Sequence, residues 1–497
     1  MTPDVIIIGS GMGGATLAAA LAPSGRRILI LERGQRLEHS PEARDPQAIF
    51  GRGHFRPDET WLDGDGKSFS PGNYYVAGGN SKFYGAVLMR YRAEDFAPLR
   101  HLGGTTRGWP FGYAQMEPWY QAAEALYQVR GILGEDPTEP AHSGTYAFPP
   151  VPDEPAIADL RARLQRVGLH PSSLPLGVDI DRWLAKGQTP WDAFPDTCGG
   201  KMDAETVGLA RAMQHPNVTL QTGARVVRLL AAGGRITGVE VAGQGVLTAP
   251  LVVLSAGAVM SAALLLGSGN AADPGGLANR SDQLGRNFMN HNLSAVLALH
   301  PLRRNGSIYQ KTIHINDFYL KGGVDDSPLG NIQLLGKISG PILASDTAMP
   351  RPVANWIARR SVDLLAMSED LPNPDSRVTL KGDQVCLDWK RSNWEAHLAL
   401  VTKLKQNLRK AGYPIVLSRA FDRRTPSHQC GTARMGDNPA TSVVNAQCRS
   451  HDLANLYIVD ASVLPTSAAV NPALTIAALA LRAADHITRT EFAACAT

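Results

Sequence analysis

Cysteine is scarce in this chain and poorly placed for chemistry. Cys198, Cys386, Cys430, Cys448 and Cys495 are scattered through 497 residues, with no CxxC pair and no Cys/His cluster at zinc spacing. That excludes a zinc ribbon or finger and predicts reduced thiols and no bound metal. Long apolar runs are missing too: no uninterrupted stretch approaches the ~18 residues of a membrane-spanning helix. The opening MTPDVIIIG enters an apolar run at once, without the charged start and cleavage site of a secretion signal. These absences predict a cytoplasmic location. There is no long basic run, and a formal net charge of +4 gives no reason to expect nucleic acid.

What is present is globular. The chain is 44% hydrophobic and 19% charged, and its length predicts two or three domains. Its 49 glycines and 34 prolines suit an α/β protein with many tight turns.

The strongest pattern lies at the start. Val5 to Ile8 is a continuous β-branched run, as in a buried parallel strand. It leads into Gly9-Ser10-Gly11-Met12-Gly13-Gly14, an Ala/Leu helix, a second buried run (Ile28–Leu31) and Glu32-Arg33-Gly34. Strand, glycine turn, helix, strand and acid form a complete dinucleotide fingerprint, with Glu32 eighteen positions after Gly14 (32 − 14 = 18). In it Gly9 allows the tight turn, Gly11 lets backbone approach a pyrophosphate, and Gly14 lets helix and strand pack closely. A carboxylate at Glu32 can accept from a ribose hydroxyl. The fingerprint alone does not separate FAD from NAD.

Residues 40–75 read as a long irregular excursion, ending in a small-residue loop, Val76-Ala77-Gly78-Gly79-Asn80-Ser81-Lys82-Phe83-Tyr84-Gly85. Such a loop lets backbone lie against a large flat cofactor. Trp109–Gly131 reads as an aromatic-edged helix with Trp119, Tyr120, Ala123, Leu126 and Tyr127 on a core face. Residues 132–200 read as loop-rich. Val218–Thr222, Arg225–Leu230 and Arg235–Val241 are expected to form three antiparallel strands. Leu251–Leu254 is a further buried strand that turns at Ser255-Ala256-Gly257-Ala258 into a helix to about Leu266. In the mixed region after His291, Asn393–Ala411 reads as a helix with Leu398, Val401, Leu404 and Leu408 on its apolar face. His397 beside them is expected to be a packing histidine. Leu456–Val459 is a last buried strand, ending at Asp460-Ala461-Ser462.

Two polar residues stand out near the C-terminus: His428, opening the Gly-Thr loop of HQCGTARMG, and Asn471, just before Pro472-Ala473 and a helical run to about Thr488. Asn471 is expected as the N-cap with Pro472 at the first helical position. A titratable imidazole and a non-titrating amide at a positive helix end suit proton removal from an alcohol.

With five motifs in this order, the chain resembles the glucose-methanol-choline (GMC) oxidoreductases. The motifs are the fingerprint, GGNSKFYG, LSAGAVMSAALLLGSG, HQCGTARMG, and NLYIVDASVLPTSAAVNPALTIAALALRAADH. The resemblance implies a Rossmann-like FAD domain (1–110, 200–289, 446–497) interleaved with a substrate domain of mixed or antiparallel sheet and helices (111–199, 290–445). It implies His428 as the alcohol-activating residue and Asn471 as its partner. FAD is expected against Gly9, Gly11, Met12, Gly13 and Gly14, at Glu32 and Arg33, and along Gly78, Gly79, Asn80, Ser81, Tyr84 and Gly85. Further contacts are expected at backbone near Val226 (beside the adenine), at Ala256 and Gly257, and at Asp460, Ala461, Asn471, Pro472 and Ala473.

Where some relatives attach FAD through a histidine, this chain has Phe83, which implies non-covalent flavin. The family's Ser-Pro is here Ser261-Ala262, a change expected to leave the chemistry untouched. Thr189–Glu205 is closer to the sugar-oxidising branch, so a sugar or glycoside ring hydroxyl is the expected substrate, with non-sugar alcohols as the alternative. The acceptor is open between O₂ and other carriers, and so is the oligomeric state. The rival functions are a hydroxynitrile-lyase-like enzyme with structural FAD and an NAD dehydrogenase sharing only the first βαβ unit. In the second, every later motif would be idle.

Overall fold

The computed structural model describes residues 2–185, 192–421 and 428–493. Cys495, the first three residues of Thr189–Glu205, and Ser427 lie outside them. At its centre is a five-stranded sheet in the order 456–458, 251–254, 5–8, 28–31, 218–221, parallel throughout. Val5 stands opposite Leu251 on one side and Ile28 on the other. A parallel strand covered on both faces needs apolar side chains on both, so Val5–Ile8 shows no alternation and is buried throughout. The helix Met12–Leu21 follows, packed against the C-terminal helix Ala473–Ile487.

The expected three-stranded meander is corrected in its first member. Val218–Gln221 pairs in parallel with Ile28–Leu31 at the edge of the central sheet. The antiparallel sheet is built instead from Val226–Ala232, Arg235–Val241 and Gly245–Leu247. An edge strand has a neighbour on one side only, and the half-exposed pattern of Val218–Gln221 reads equally well as a hairpin strand.

A six-stranded antiparallel sheet forms the second layer, in the order 415–420, 292–299, 361–368, 331–334, 313–315, 171–173. One face, with Val296, Ala298, Leu364 and Ala366, packs on the helices Pro155–Arg166 and Trp394–Lys410. The other face, with Leu293, Gln333 and Leu365, lines the large cavity described below.

Other expectations change in detail. Among the described residues, 132–200 hold two helices, Pro155–Arg166 and Ile180–Ala185, and a strand, Pro171–Ser173. The excursion at 40–75 contains Trp61–Asp63 and Ser68–Phe69, and Trp61–Asp63 pairs in parallel with Gln384–Asp388. The aromatic-edged helix is shorter, Tyr113–Leu126. Trp109 and Phe111 precede it in a cluster with Phe96, and Trp119 and Leu126 are only partly buried. Leu398 is 49% exposed, whereas His397 is fully buried between the hydroxyls of Ser294 (2.8 Å) and Ser368 (3.1 Å). His397 is the packing residue it was expected to be, and Leu398 is not.

The tightest point in the nucleotide half is Gly13, where a methyl group would run into the carbonyl of Val459 and the Ser255 hydroxyl. Backbone cannot swing aside as a side chain can. Gly13→Ala should therefore destabilise the protein by about 1–3 kcal/mol, read as a lower denaturation midpoint. An unchanged midpoint would show that the strand ending at Ile458 yields freely.

Candidate functional site

One cavity of about 1250 Å³ runs from the glycine turn to the inner face of the six-stranded sheet. Drug-sized ligands fill roughly 300–1,000 Å³, so there is room for a dinucleotide and a second molecule. Of the expected contacts, Gly9, Gly11, Met12 and Gly13 line it at the turn. Glu32, Arg33, Gly79, Asn80, Ser81, Tyr84 and Gly85 continue the wall, with Val226, Ala256 and Gly257 on the far side. Asp460, Ala461, Asn471, Pro472, Ala473 and His428 close it. Gly14 and Gly78 stand behind the wall: a methyl at Gly14 would strike the Gly9 carbonyl, and Gly78 adopts φ 87°.

The residues fit a dinucleotide. A methyl group at Gly11 would meet nothing within 4 Å, so that backbone faces open space. The helix it opens has no side-chain cap, which leaves its first N–H groups for a ligand. Ser10 ties three segments together. Its hydroxyl donates to Glu32 Oε2 (2.6 Å) and accepts from Gly78 N–H (3.1 Å), while its own N–H donates to the same carboxylate (3.1 Å). Glu32 Oε1 accepts from Gly34 N–H (2.8 Å). Burial pushes the Glu32 carboxyl upward, against the pull of these bonds. Opposite, Asp460 accepts from Gly257 N–H (3.0 Å) and the Ser261 hydroxyl (2.6 Å). So Ser261 holds the loop where Ala262 replaces the family's proline. Phe83 is stacked on Tyr74 with ring centroids 3.7 Å apart.

At the other end stands a polar cluster. His428 and Asn471 come together as expected, Asn471 Nδ2 lying 3.4 Å from His428 Nε2. The capping expectation is corrected: the cap position is Pro472, with no side-chain cap bond. Asn471 instead turns its amide across the cavity, Oδ1 accepting from Gln333 Nε2 at 3.2 Å. Pro472 and Ala473 line the cavity at the helix end, so the positive end of the helix still faces the site.

Two residues here escaped the sequence. His291 Nδ1 lies 2.7 Å from His428 Nδ1, and its Nε2 is 3.0 Å from the Ser467 carbonyl. The cause is a short antiparallel ladder, since Met289 and Cys430 exchange both backbone hydrogen bonds at 3.0 Å. Two positions on along each strand, His291 and His428 stand opposite each other on one face. Gln333 is the second, and its Oε1 is buried without a partner among the described residues. Each lies nearly 140 positions from its partner, beyond any local pattern. Lys311, paired with Asp192 at 2.5 Å above Gly85, brings a positive charge near His428. Burial, then the neighbouring His291 and Lys311, hold His428 well below the ordinary imidazole range. Burial likewise lowers His291. Both rings are neutral at pH 7.

A family model described as GMC oxidoreductase matches residues 372–480, and one described as FAD dependent oxidoreductase matches residues 4–275. Paromamine 6'-oxidase from Streptomyces fradiae is 31% identical, across 97% of this chain and 91% of its own length. The 2-methyl-1,2-propanediol dehydrogenase of Mycolicibacterium austroafricanum is 28% identical across 98% and 95%. A crystal structure of pyridoxine 4-oxidase from Mesorbium loti superposes with a TM-score of 0.68, covering 98% of this chain and 99% of that one at 21% identity, a likeness of fold.

Two outcomes test this site. Gly11→Ala should leave the flavin-free fold as stable as before but reduce the FAD that copurifies, because the added methyl enters open cavity. Undiminished flavin content would place the cofactor elsewhere. The buried rings of His291, His397 and His428 all sit below 6.5. Below about pH 6.5 the unfolded chain takes up protons that the folded protein refuses. Stability should fall with pH there by roughly 1.4 kcal/mol per unit for each ring, reaching down to about 3 for His397. The buried carboxyls of Asp95, Asp203 and Asp370, raised to about 7, 6 and 6, oppose this fall. It is therefore read as the difference between the parent and His397→Gln in denaturation midpoint at pH 7 and 5.5. An equal shift in both would show that ring charging in place.

Proposed function

This chain belongs to the glucose-methanol-choline oxidoreductases, FAD-dependent enzymes that oxidise alcohols, and from that premise we propose that His428 and Asn471 are its catalytic pair. The observation that carries this is their placement: a neutral imidazole with Nε2 beside an amide N–H, on the wall of the cavity that begins at the dinucleotide turn. His428 Nε2 takes the proton of the substrate hydroxyl, the work of a general base. Asn471 Nδ2 donates to the oxygen as it gains negative charge, and Gln333 holds that amide in orientation. When bound, FAD supplies the acceptor for the hydrogen and electron pair that leave the carbinol carbon. Glu32, the glycine turn and Gly79–Ser81 hold FAD, non-covalently, since the Phe83 ring cannot form the histidyl link. Residues 1–110, 200–289 and 446–497 serve the cofactor, and 111–199 and 290–445 the substrate.

For substrate we favour a ring hydroxyl of a sugar or glycoside. Relatives named paromamine 6'-oxidase and fructose dehydrogenase support a sugar or glycoside as the substrate. A second reading, a non-sugar alcohol with an apolar body, draws on the apolar side chains of the cavity wall, Leu293, Leu335 and Leu365 in one cluster and Ile338 and Ile342 in another. We infer a cytoplasmic location from the unpaired thiols of the four described cysteines. Among the described residues no helix is long and apolar enough to cross a membrane.

Anaerobic mixing of the yellow holoenzyme with a panel of sugars, glycosides and aryl and alkyl alcohols should bleach the flavin. Preference for an aryl or alkyl alcohol over every sugar would favour the second reading. No bleaching by any of them would count against alcohol oxidation and leave a lyase. His428→Ala should slow the bleaching by about 10²–10⁴-fold with FAD still bound. An unslowed variant would remove His428 from the chemistry.

A further inference from the structure

We propose that His291 is a positioning residue that fixes the proton of His428 on Nδ1 and so leaves Nε2 bare as the base. The chain of hydrogen bonds starts at an atom that can only accept. The Ser467 carbonyl oxygen takes a hydrogen bond from the Tyr91 hydroxyl (2.9 Å) and lies 3.0 Å from His291 Nε2. A carbonyl has no proton to give, so His291 Nε2 carries the hydrogen and donates it. In a neutral imidazole the other nitrogen is then an acceptor. His291 Nδ1 faces His428 Nδ1 at 2.7 Å. Two lone pairs at that distance would repel, so His428 Nδ1 carries the hydrogen between them. What remains on His428 is a lone pair at Nε2, the atom beside Asn471 and on the cavity side.

A second line of contacts, from the opposite direction, agrees. Asn471 Oδ1 is engaged by Gln333, which leaves Nδ2, a donor, towards His428 Nε2. A donor there calls for an acceptor, the same tautomer.

The anchor is itself held in place. Ala468 adopts φ 53°, a left-handed conformation costly for alanine, and its N–H donates to Glu369 Oε1 at 3.0 Å. Ser467 Oγ donates to the Asp370 carbonyl (2.9 Å) and accepts from the Asp370 N–H (3.2 Å). Asn290 Oδ1 fixes the backbone of His428 at 3.0 Å. The charged groups that act on the pair are Glu369 and Lys311. Neither donates to nor accepts from a ring nitrogen of either histidine, so the tautomer is set by the carbonyl and not by an ion.

The role in catalysis rests on the alcohol-oxidising reading above, but the tautomer does not, and it is measured separately. Nitrogen-15 spectra of the resting, FAD-loaded enzyme labelled at histidine, assigned with His428→Gln, should show His428 Nδ1 protonated and Nε2 unprotonated. The reverse pattern would overturn the proposal whatever the substrate. His291→Phe keeps a ring in the pocket but removes the acceptor. It should slow the limiting rate of flavin bleaching by roughly 10–10²-fold, the scale on which losing a group that orients a histidine acts. FAD content and half-saturating substrate should stay within about twofold. His291→Asn, whose amide oxygen can accept in place of Nδ1, should recover part of that loss. A phenylalanine variant that bleaches as fast as the parent would overturn the role, as would an asparagine variant no faster than the phenylalanine one. If a variant fails to fold, the spectra of the parent protein decide.

Discussion

The 2.7 Å hydrogen bond between His291 and His428 joins a buried ring to one on the cavity wall, and much of the surrounding structure follows from what that placement demands. Two imidazoles out of water resist charging, because burial penalises the cation more than the neutral ring. They must then share hydrogens by geometry, each donor matched to an acceptor. The backbone supplies that match. The ladder through Met289 and Cys430 brings the rings together, and a strained turn at Ala468 presents a carbonyl to the far one.

The cofactor end obeys a different constraint, close approach of backbone. Gly9, Gly13 and Gly14 each lie where a single methyl would strike a carbonyl oxygen. This lets the strand ending at Ile8, the helix after it and the return strand ending at Ile458 converge behind the turn. Ser10 then links that turn to Glu32 and to the loop at Gly78 through one hydroxyl. A cofactor lying there touches three segments whose mutual positions are set before it arrives, so less ordering is left for binding to offset.

Much of this was legible in the sequence where physics acts locally. The fingerprint needs glycine at fixed spacing and an acid at the end of the second strand, and both are written in consecutive residues. His428 and Asn471 were legible because their motifs surround them. His291 was not, since it follows Asn287-Phe288-Met289-Asn290 with nothing nearby to mark it, and its meaning comes from a ladder with residues 137 positions away. Gln333 is hidden in the same way, inside a four-residue buried strand. Val218–Gln221 was misread because its alternation fits either sheet, and only the parallel neighbour decides. The role expected of Asn471 failed at the side chain: a favoured cap residue gave its hydrogen bonds to the cavity instead.

The strand order of the central sheet has a consequence for how the chain is made. Its first two strands appear within 31 residues, its edge and its fourth strand only past residue 217, and its last strand at 456–458. A ribosome adding about 5–20 residues each second therefore exposes the Val5–Leu31 strands for tens of seconds before their final neighbours exist. Throughout that interval two apolar strands stand with open edges, a state prone to pairing with the wrong partner. Contacts this distant in sequence also fold slowly. The molecule thus joins its earliest and latest segments in one layer, with the first strands gaining their own neighbours by residue 254 and the strand at 456–458 closing the far edge later.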